Sequence, residues 1–283
     1  MTNQNVAIVG VGLIGGSIGL ALRKRGLAAE VIGIGRRQSS LDKALNYGAI
    51  DRAELDLKKG VASADVVIVA SPVASVVEQV CLALASVGSQ ALVTDVGSTK
   101  ATICAGIEKQ AKIKTLAQQF VGSHPLAGDH RTGPENARAD LLVGKTVVVT
   151  PTGKTFESTT DRAEAFWAAL DARVVRMSPA EHDLALAATS HLPHLVASAL
   201  SAATPDQWLS LVATGWADTT RVAAADPELW TQIFSQNKTA LLEALDRLVD
   251  QIDQLRTGIS AENWSQIQNT LQKAKRTRDA LGN

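Results

Sequence analysis

Over the first 177 residues the apolar positions fall into short continuous runs separated by stretches of helical period. Residues 6–9, 31–34, 64–70, 91–95, 120–123, 145–151 and 172–176 are rich in Val, Ile and Leu and read as buried strands. Residues 17–25, 41–47, 73–85, 102–110 and 161–170 read as helices between them, two of them stopped by Gly26 and Gly48. Strand and helix in alternation predict a doubly wound, mostly parallel α/β sheet of the Rossmann type. After Met177 the pattern changes. Ser178-Pro179-Ala180-Glu181 is a helix start, with a capping serine, proline at the first helical position and an acid in the first turn. Helical period then runs through Ala203, over 208–213, over 226–259 and over 261–280, and no strand pattern returns. The expectation is two domains, 1–177 around the sheet and 178–283 all helical. A helical half this small, rich in Leu, Ala and Val, is expected to finish its core as a dimerisation domain against a second copy.

The first strand leads into Gly10-Val11-Gly12-Leu13-Ile14-Gly15, the spacing G-x-G-x-x-G between a strand and a helix. Each glycine has a physical reason there. Gly10 allows the tight turn, Gly12 lets a pyrophosphate approach the backbone, and Gly15 lets helix and strand pack closely. Leu13 and Ile14 stand in the turn, and the helix start that follows presents unpaired N–H groups and the positive end of its dipole to phosphates. The second strand closes on Gly35-Arg36-Arg37-Gln38-Ser39-Ser40, where an NAD site normally has an acid for the ribose hydroxyls. Arg36, Arg37 and Ser39 suit a 2′-phosphate instead, which favours NADP over NAD. The competing reading is a basic, solvated loop.

Composition narrows the partners. The 283 residues are 46% hydrophobic and 20% charged, with a formal net charge of zero, so nothing argues for nucleic acid or an anionic membrane. The start, Met1-Thr2-Asn3-Gln4-Asn5, lacks the basic and apolar regions of a secretory signal, and no apolar run has the length of a membrane span. Cys81 and Cys104 form no C-x-x-C pair, which fits reduced thiols in a cytoplasmic protein.

Five histidines carry most of the remaining signal. His124 follows a strand at the carboxyl edge where open α/β sheets bind ligands. His191 and His194, three apart in Ser190-His191-Leu192-Pro193-His194, share a helix face, and Pro193 breaks a helical hydrogen bond there. They lack a third ligand for a metal, and none is expected. Asp218 and Arg221 are also three apart, so the acid is placed to hold an arginine fork aimed at a carboxylate. Ser98, just past a strand, is placed to fix an imidazole tautomer. His182, between Glu181 and Asp183, reads as a helix-surface residue.

The motifs V-G-L-I-G-G-S, T-D-V-G-S-T-K, H-P-L-A-G, S-H-L-P-H and D-T-T-R, in that order over nearly the whole chain, resemble the prephenate/arogenate dehydrogenases of tyrosine biosynthesis. The resemblance implies oxidative decarboxylation of prephenate to 4-hydroxyphenylpyruvate with NADP or NAD, or of arogenate to tyrosine. It implies that His124 takes the hydroxyl proton and Ser98 orients it. His191 and His194 would line the substrate pocket, Arg221 would bind a substrate carboxylate, and Ser71-Pro72 would lie near the nicotinamide ribose. Asp129-His130 departs from the family, some members of which carry an acid at the second position. The chain ends soon after its last helices, so no mutase or regulatory domain is expected. Two other readings are a related β-hydroxyacid or pyrroline carboxylate type of dehydrogenase, whose families lack H-P-L-A-G, and a nucleotide sensor without catalysis. Ser98, His124 and Arg221 together speak against the sensor.

Overall fold

The computed structural model describes residues 4–110, 117–128, 131 and 133–282. An eight-stranded sheet forms the first half: β1 Asn5–Val9, β2 Glu30–Ile34, β3 Arg52–Glu54, β4 Val66–Val69, β5 Leu92–Asp95, β6 Phe120–Pro125, β7 Thr146–Thr150 and β8 Arg173–Arg176, in the order β3-β2-β1-β4-β5-β6-β7-β8. Every pairing is parallel except β6 with β7. Helices α1 Leu13–Lys24, α2 Gln38–Asn46, α3 Leu57–Val61, α4 Val73–Leu84, α5 Ala101–Gln110 and α6 Glu157–Ala169 follow the strands. Two apolar layers result. Ile8, Ile18, Leu22 and Phe166 belong to one, and Val67, Val76, Val80 and Ile107 to the other. The central strands are buried on both faces, which is why they read as unbroken apolar runs.

Strand order reverses between β1 and β4, and the carboxyl ends of these strands flank a crevice where this architecture receives ligands. Gly10 sits there at φ +92, and a Cβ on it would lie 2.7 Å from the Ala70 carbonyl oxygen. A Cβ on Gly15 would lie 2.2 Å from the Gly10 carbonyl oxygen, so α1 rests directly on the turn. A Cβ on Gly12 would meet nothing within 4 Å, which leaves its backbone open to an incoming group.

The helical half follows Ser178, whose side chain and that of Glu181 form a reciprocal capping box. It comprises α7 Pro179–Leu186, a π-helical turn Ala187–His191, α8 Leu192–Ala203, α9 Thr214–Thr220, α10 Pro227–Gln236, α11 Lys238–Ser260 and α12 Trp264–Asp279, with 3₁₀ turns Asp206–Leu211 and Arg221–Ala224. Several boundaries differ from the sequence reading. Strand β3 and helix α3 carry no strong periodicity and are additions. Helix α2 starts at Gln38, so the expected loop shrinks and Ser39 lies in a first helical turn. Pro193 is not inside a regular helix: it stands at the second position of α8, after the π turn that absorbs the missing donor. The helix expected over 226–259 is broken at Asn237, whose side chain serves other partners.

Beneath the sheet's carboxyl edge lies a fully buried ion pair of Lys100 and Asp95. Asp95 also accepts from the amides of Gly97 (2.9 Å) and Ser123 (3.2 Å), while the Lys100 ammonium donates to the Ser123 carbonyl at 2.9 Å. The Ser123 hydroxyl bonds Thr94 at 2.8 Å and accepts from the Trp167 indole at 2.9 Å. Every polar atom of the residue before His124 is therefore held. Lys100→Met should lower unfolding free energy by about 3–5 kcal/mol, because a buried carboxylate loses its counter-charge. Denaturant titration checks this, and a loss under about 1 kcal/mol would show that Asp95 finds another cation.

Candidate active site

His124 is the last but one residue of β6, opposite Val148 of β7, so it lies within the strand rather than after it. Pairing of β6 with β5 ends at Val121, and the next residues continue beyond that edge toward the helical half. The His124 Nδ1 lies 2.8 Å from Nε2 of His182, and the His182 Nδ1 lies 2.8 Å from Oδ1 of Asp183. His182 is 0% exposed. The expectation of a surface histidine is wrong, because α7 turns this position inward onto β6 and α5. Flanking acids suggested solvent, but only Glu181 faces it; Asp183 is buried too.

Asp183 joins the two halves. Its Oδ1 accepts from the Lys100 amide at 2.8 Å and its Oδ2 from the Ala101 amide at 2.9 Å, so it caps the start of α5 from another domain. Beside it the Thr99 hydroxyl donates to Gln236 Oε1 at 2.6 Å, and the Thr102 hydroxyl donates to the Gln236 carbonyl at 3.0 Å. Asn237 donates to the Asp183 carbonyl at 2.7 Å and lies 3.1 Å from His191 Nδ1. An amide nitrogen is a donor only, so His191 Nδ1 accepts and its proton sits on Nε2.

Burial disfavours the charged form of His124, His191 and His194. Burial first, then His182, the Lys100 ammonium and His191, push His124 well below the usual histidine range. Burial lowers His191 to about 4, with Asp183 opposing. Burial also lowers His194. The His194 ring stacks on Trp230 with centroids 3.6 Å apart, and His191 meets the same indole edge-on at 6.2 Å. His194 Nδ1 is buried without a partner among the described residues. No motif surrounds Trp230 in the sequence to mark it.

Other expected residues are placed differently. Ser98 is half-buried in the turn between β5 and α5 and makes no hydrogen bond with a described residue; His182, not Ser98, engages the His124 ring. Among the described residues Asp218 and Arg221 form no ion pair, and both are exposed. Helix α9 ends at Thr220 and Arg221 opens a 3₁₀ turn with its own backbone still helical, so the three-residue spacing leaves the two side chains on one exposed face without an ion pair between them. Asp129 and His130 lie outside the described residues. Ser71, at the end of β4, donates to the Val9 carbonyl at 3.3 Å, and Pro72 precedes α4, so both border the crevice beside Gly10. Arg36 and Arg37 are exposed past β2. Glu54 in the neighbouring β3 turns its carboxylate onto the amides of Leu55 and Asp56 at 2.9 and 3.0 Å. No group of three metal-ligating side chains occurs among the described residues.

The crevice fits a dinucleotide: an open glycine backbone, a helix start and a turn that no Cβ would permit meet at one edge. Comparison with known proteins agrees. Residues 18–176 match the nucleotide-binding domain of prephenate dehydrogenase, and residues 178–273 match its dimerization domain. Prephenate dehydrogenase of Bacillus subtilis is 33% identical over 98% of this chain and 76% of its own length. A crystal structure of the Aquifex aeolicus prephenate dehydrogenase, in complex with hydroxyphenyl propionate and NAD+, superposes at TM-score 0.90 with 32% identity over 98% of both chains. The Synechocystis arogenate dehydrogenase superposes at 0.84 with 31% identity, over 98% of this chain and 99% of that one. With both halves matched in order and a histidine on the cofactor edge of the sheet, this chain belongs to the prephenate dehydrogenase family.

Proposed function

We propose that this dehydrogenase oxidises prephenate to 4-hydroxyphenylpyruvate and carbon dioxide, with His124 as the general base and NADP as the preferred acceptor. The observation that carries the base assignment is the engagement of His124 Nδ1 by His182, which leaves Nε2 free for the substrate. A nicotinamide dinucleotide held at the glycine turn would supply the hydride acceptor for the carbinol carbon. His124 removes the hydroxyl proton as the carbonyl forms, and loss of carbon dioxide then leaves an aromatic ring. Ser98 is assigned to the reacting centre with His124. Arg221, with Asp218 near it in sequence, meets a substrate carboxylate, and its free guanidinium among the described residues suits that task. His191 and His194 line the substrate pocket from the helical side, and the unpartnered Nδ1 of His194 supports this.

Cofactor contacts are assigned to Gly10, Gly12, Leu13, Ile14, Gly15, Ser71 and Pro72 for the shared part of the dinucleotide. Arg36, Arg37 and Ser39 are assigned to the 2′-phosphate. The missing acid at the end of β2, the bonded carboxylate of Glu54 and the first turn of α2 beside the arginines support this preference. We divide the chain into a nucleotide-binding domain, 1–177, and a helical substrate and dimerisation domain, 178–283. The helical surface exposes Trp208, Leu211, Ile252, Ile259, Trp264 and Leu271, an apolar load that supports a homodimer. Among the described residues no helix is long and apolar enough to cross a membrane. Arogenate is the second reading, favoured by the likeness to the Synechocystis enzyme. Reduction of NADP measured with prephenate and arogenate in parallel decides between them.

His124→Asn should reduce kcat by about 10²–10⁴-fold and leave cofactor affinity near that of the unmodified protein. Only the neutral ring accepts a proton, and its surroundings disfavour the imidazolium. The unmodified enzyme should therefore keep kcat/KM as pH falls through histidine's ordinary value of 6.5 and lose it only well below. A pH–rate profile checks this, and an acid limb at or above the ordinary value would count against His124 as the base. For the cofactor, Arg36→Ala should shrink the advantage of NADP over NAD by about tenfold or more, the worth of one charge-assisted hydrogen bond. Comparing kcat/KM for both cofactors tests it, and an unmodified protein that favours NAD would remove the phosphate assignment.

A further inference from the structure

We propose that His182 and Asp183 are positioning residues that fix the tautomer of His124, and that this setting exists only while the helical half is docked on the sheet. The inference rests on the assignment of His124 as the base and concerns how that base is prepared. A carboxylate only accepts hydrogen bonds, so at 2.8 Å from Asp183 Oδ1 the His182 Nδ1 carries the proton. In a neutral ring the other nitrogen is then an acceptor. His182 Nε2 faces His124 Nδ1 at 2.8 Å, which makes His124 Nδ1 the donor and leaves the lone pair of His124 on Nε2. Two imidazoles in series thus transmit the orientation of one carboxylate to the ring that meets the substrate.

The carboxylate cannot turn away. Both of its oxygens accept amides at the start of α5, from Lys100 and Ala101, and the backbone carbonyl of Asp183 accepts from Asn237 at the break before α11. Lys100, whose amide takes part here, also holds Ser123 from the other side through its ammonium. The strand that bears His124 and the helix that bears His182 are therefore referred to the same residue. Separation of the halves would remove the acceptor of His124 Nδ1 and let its proton exchange between the two nitrogens.

The test combines kinetics with nitrogen-15 spectra of histidine-labelled full-length protein. In the unmodified protein the neutral His124 should carry its proton on Nδ1; a proton on Nε2 overturns the proposal whatever the variants do. His182→Phe keeps the ring volume and removes both nitrogens. It should reduce kcat about 10²-fold or more, with little change in KM, cofactor affinity or melting temperature, and the His124 proton should spread over both nitrogens. His182→Gln places a carbonyl acceptor near the same spot and should recover at least about tenfold of that loss. A Phe variant within threefold of the unmodified rate, or a well-folded Gln variant no better than Phe, overturns the proposal. If His182→Phe does not fold, the spectrum of the unmodified protein and the Gln variant still decide. An unmodified protein that turns over neither prephenate nor arogenate would refute the function instead, and the tautomer measurement stands apart from that outcome.

Discussion

A lysine ammonium and an aspartate carboxylate without access to water need each other, and in this protein they also need a fixed set of neighbours. The Lys100–Asp95 pair is repaid for its lost hydration only because Gly97 and Ser123 supply the remaining hydrogen bonds, while Asp183 holds the backbone amide of the same lysine. That requirement determines local geometry. It fixes the turn after β5, the backbone of the residue before His124 and the first turn of α5. The apolar layers on the two faces of the sheet then seal the pair from solvent. Removing water strengthens the electrostatics around it and weakens the affinity of nearby imidazoles for protons.

The seam between the halves carries a set of matched polar contacts. Thr99, Thr102 and Asp183 meet Gln236 and Asn237 through side-chain hydrogen bonds whose donors and acceptors match. Such contacts are directional, so they fix angle as well as distance. This arrangement suits a site whose reacting groups come from different domains, because a small rotation would break several bonds together. The break at Asn237 belongs to the same logic. At that break the Asn237 side chain reaches both Asp183 and His191.

The sheet was legible because both-faces burial leaves unbroken Val, Ile and Leu runs and because the glycine spacing carries its own sterics. Gly10, Gly12 and Gly15 could be given reasons from spacing alone. His124 was legible from its motif. His182 was not: charged neighbours in sequence resembled a solvated helix face, and only tertiary packing turns it inward. Asp183 was hidden for the same reason, since its partners are backbone amides more than eighty positions away. Asp218 and Arg221 mark the opposite limit. Their spacing gives them a common face, but both are exposed, and spacing does not decide whether two solvated side chains pair. Short, weakly periodic elements such as β3 and α3 give no pattern to read.

Asp183 lies late in the chain, and that has a consequence for biosynthesis. Polypeptides emerge amino terminus first and tend to fold domain by domain. The glycine turn, β1 and the strands up to β8 are complete before the carboxylate that caps α5 has left the ribosome. A nascent sheet half can therefore enclose a nucleotide while its histidine still lacks a settled proton arrangement. The seam around that histidine closes only once Asp183, Gln236 and Asn237 have emerged, so a chain cut short of them keeps its strands but lacks the contacts that anchor His182.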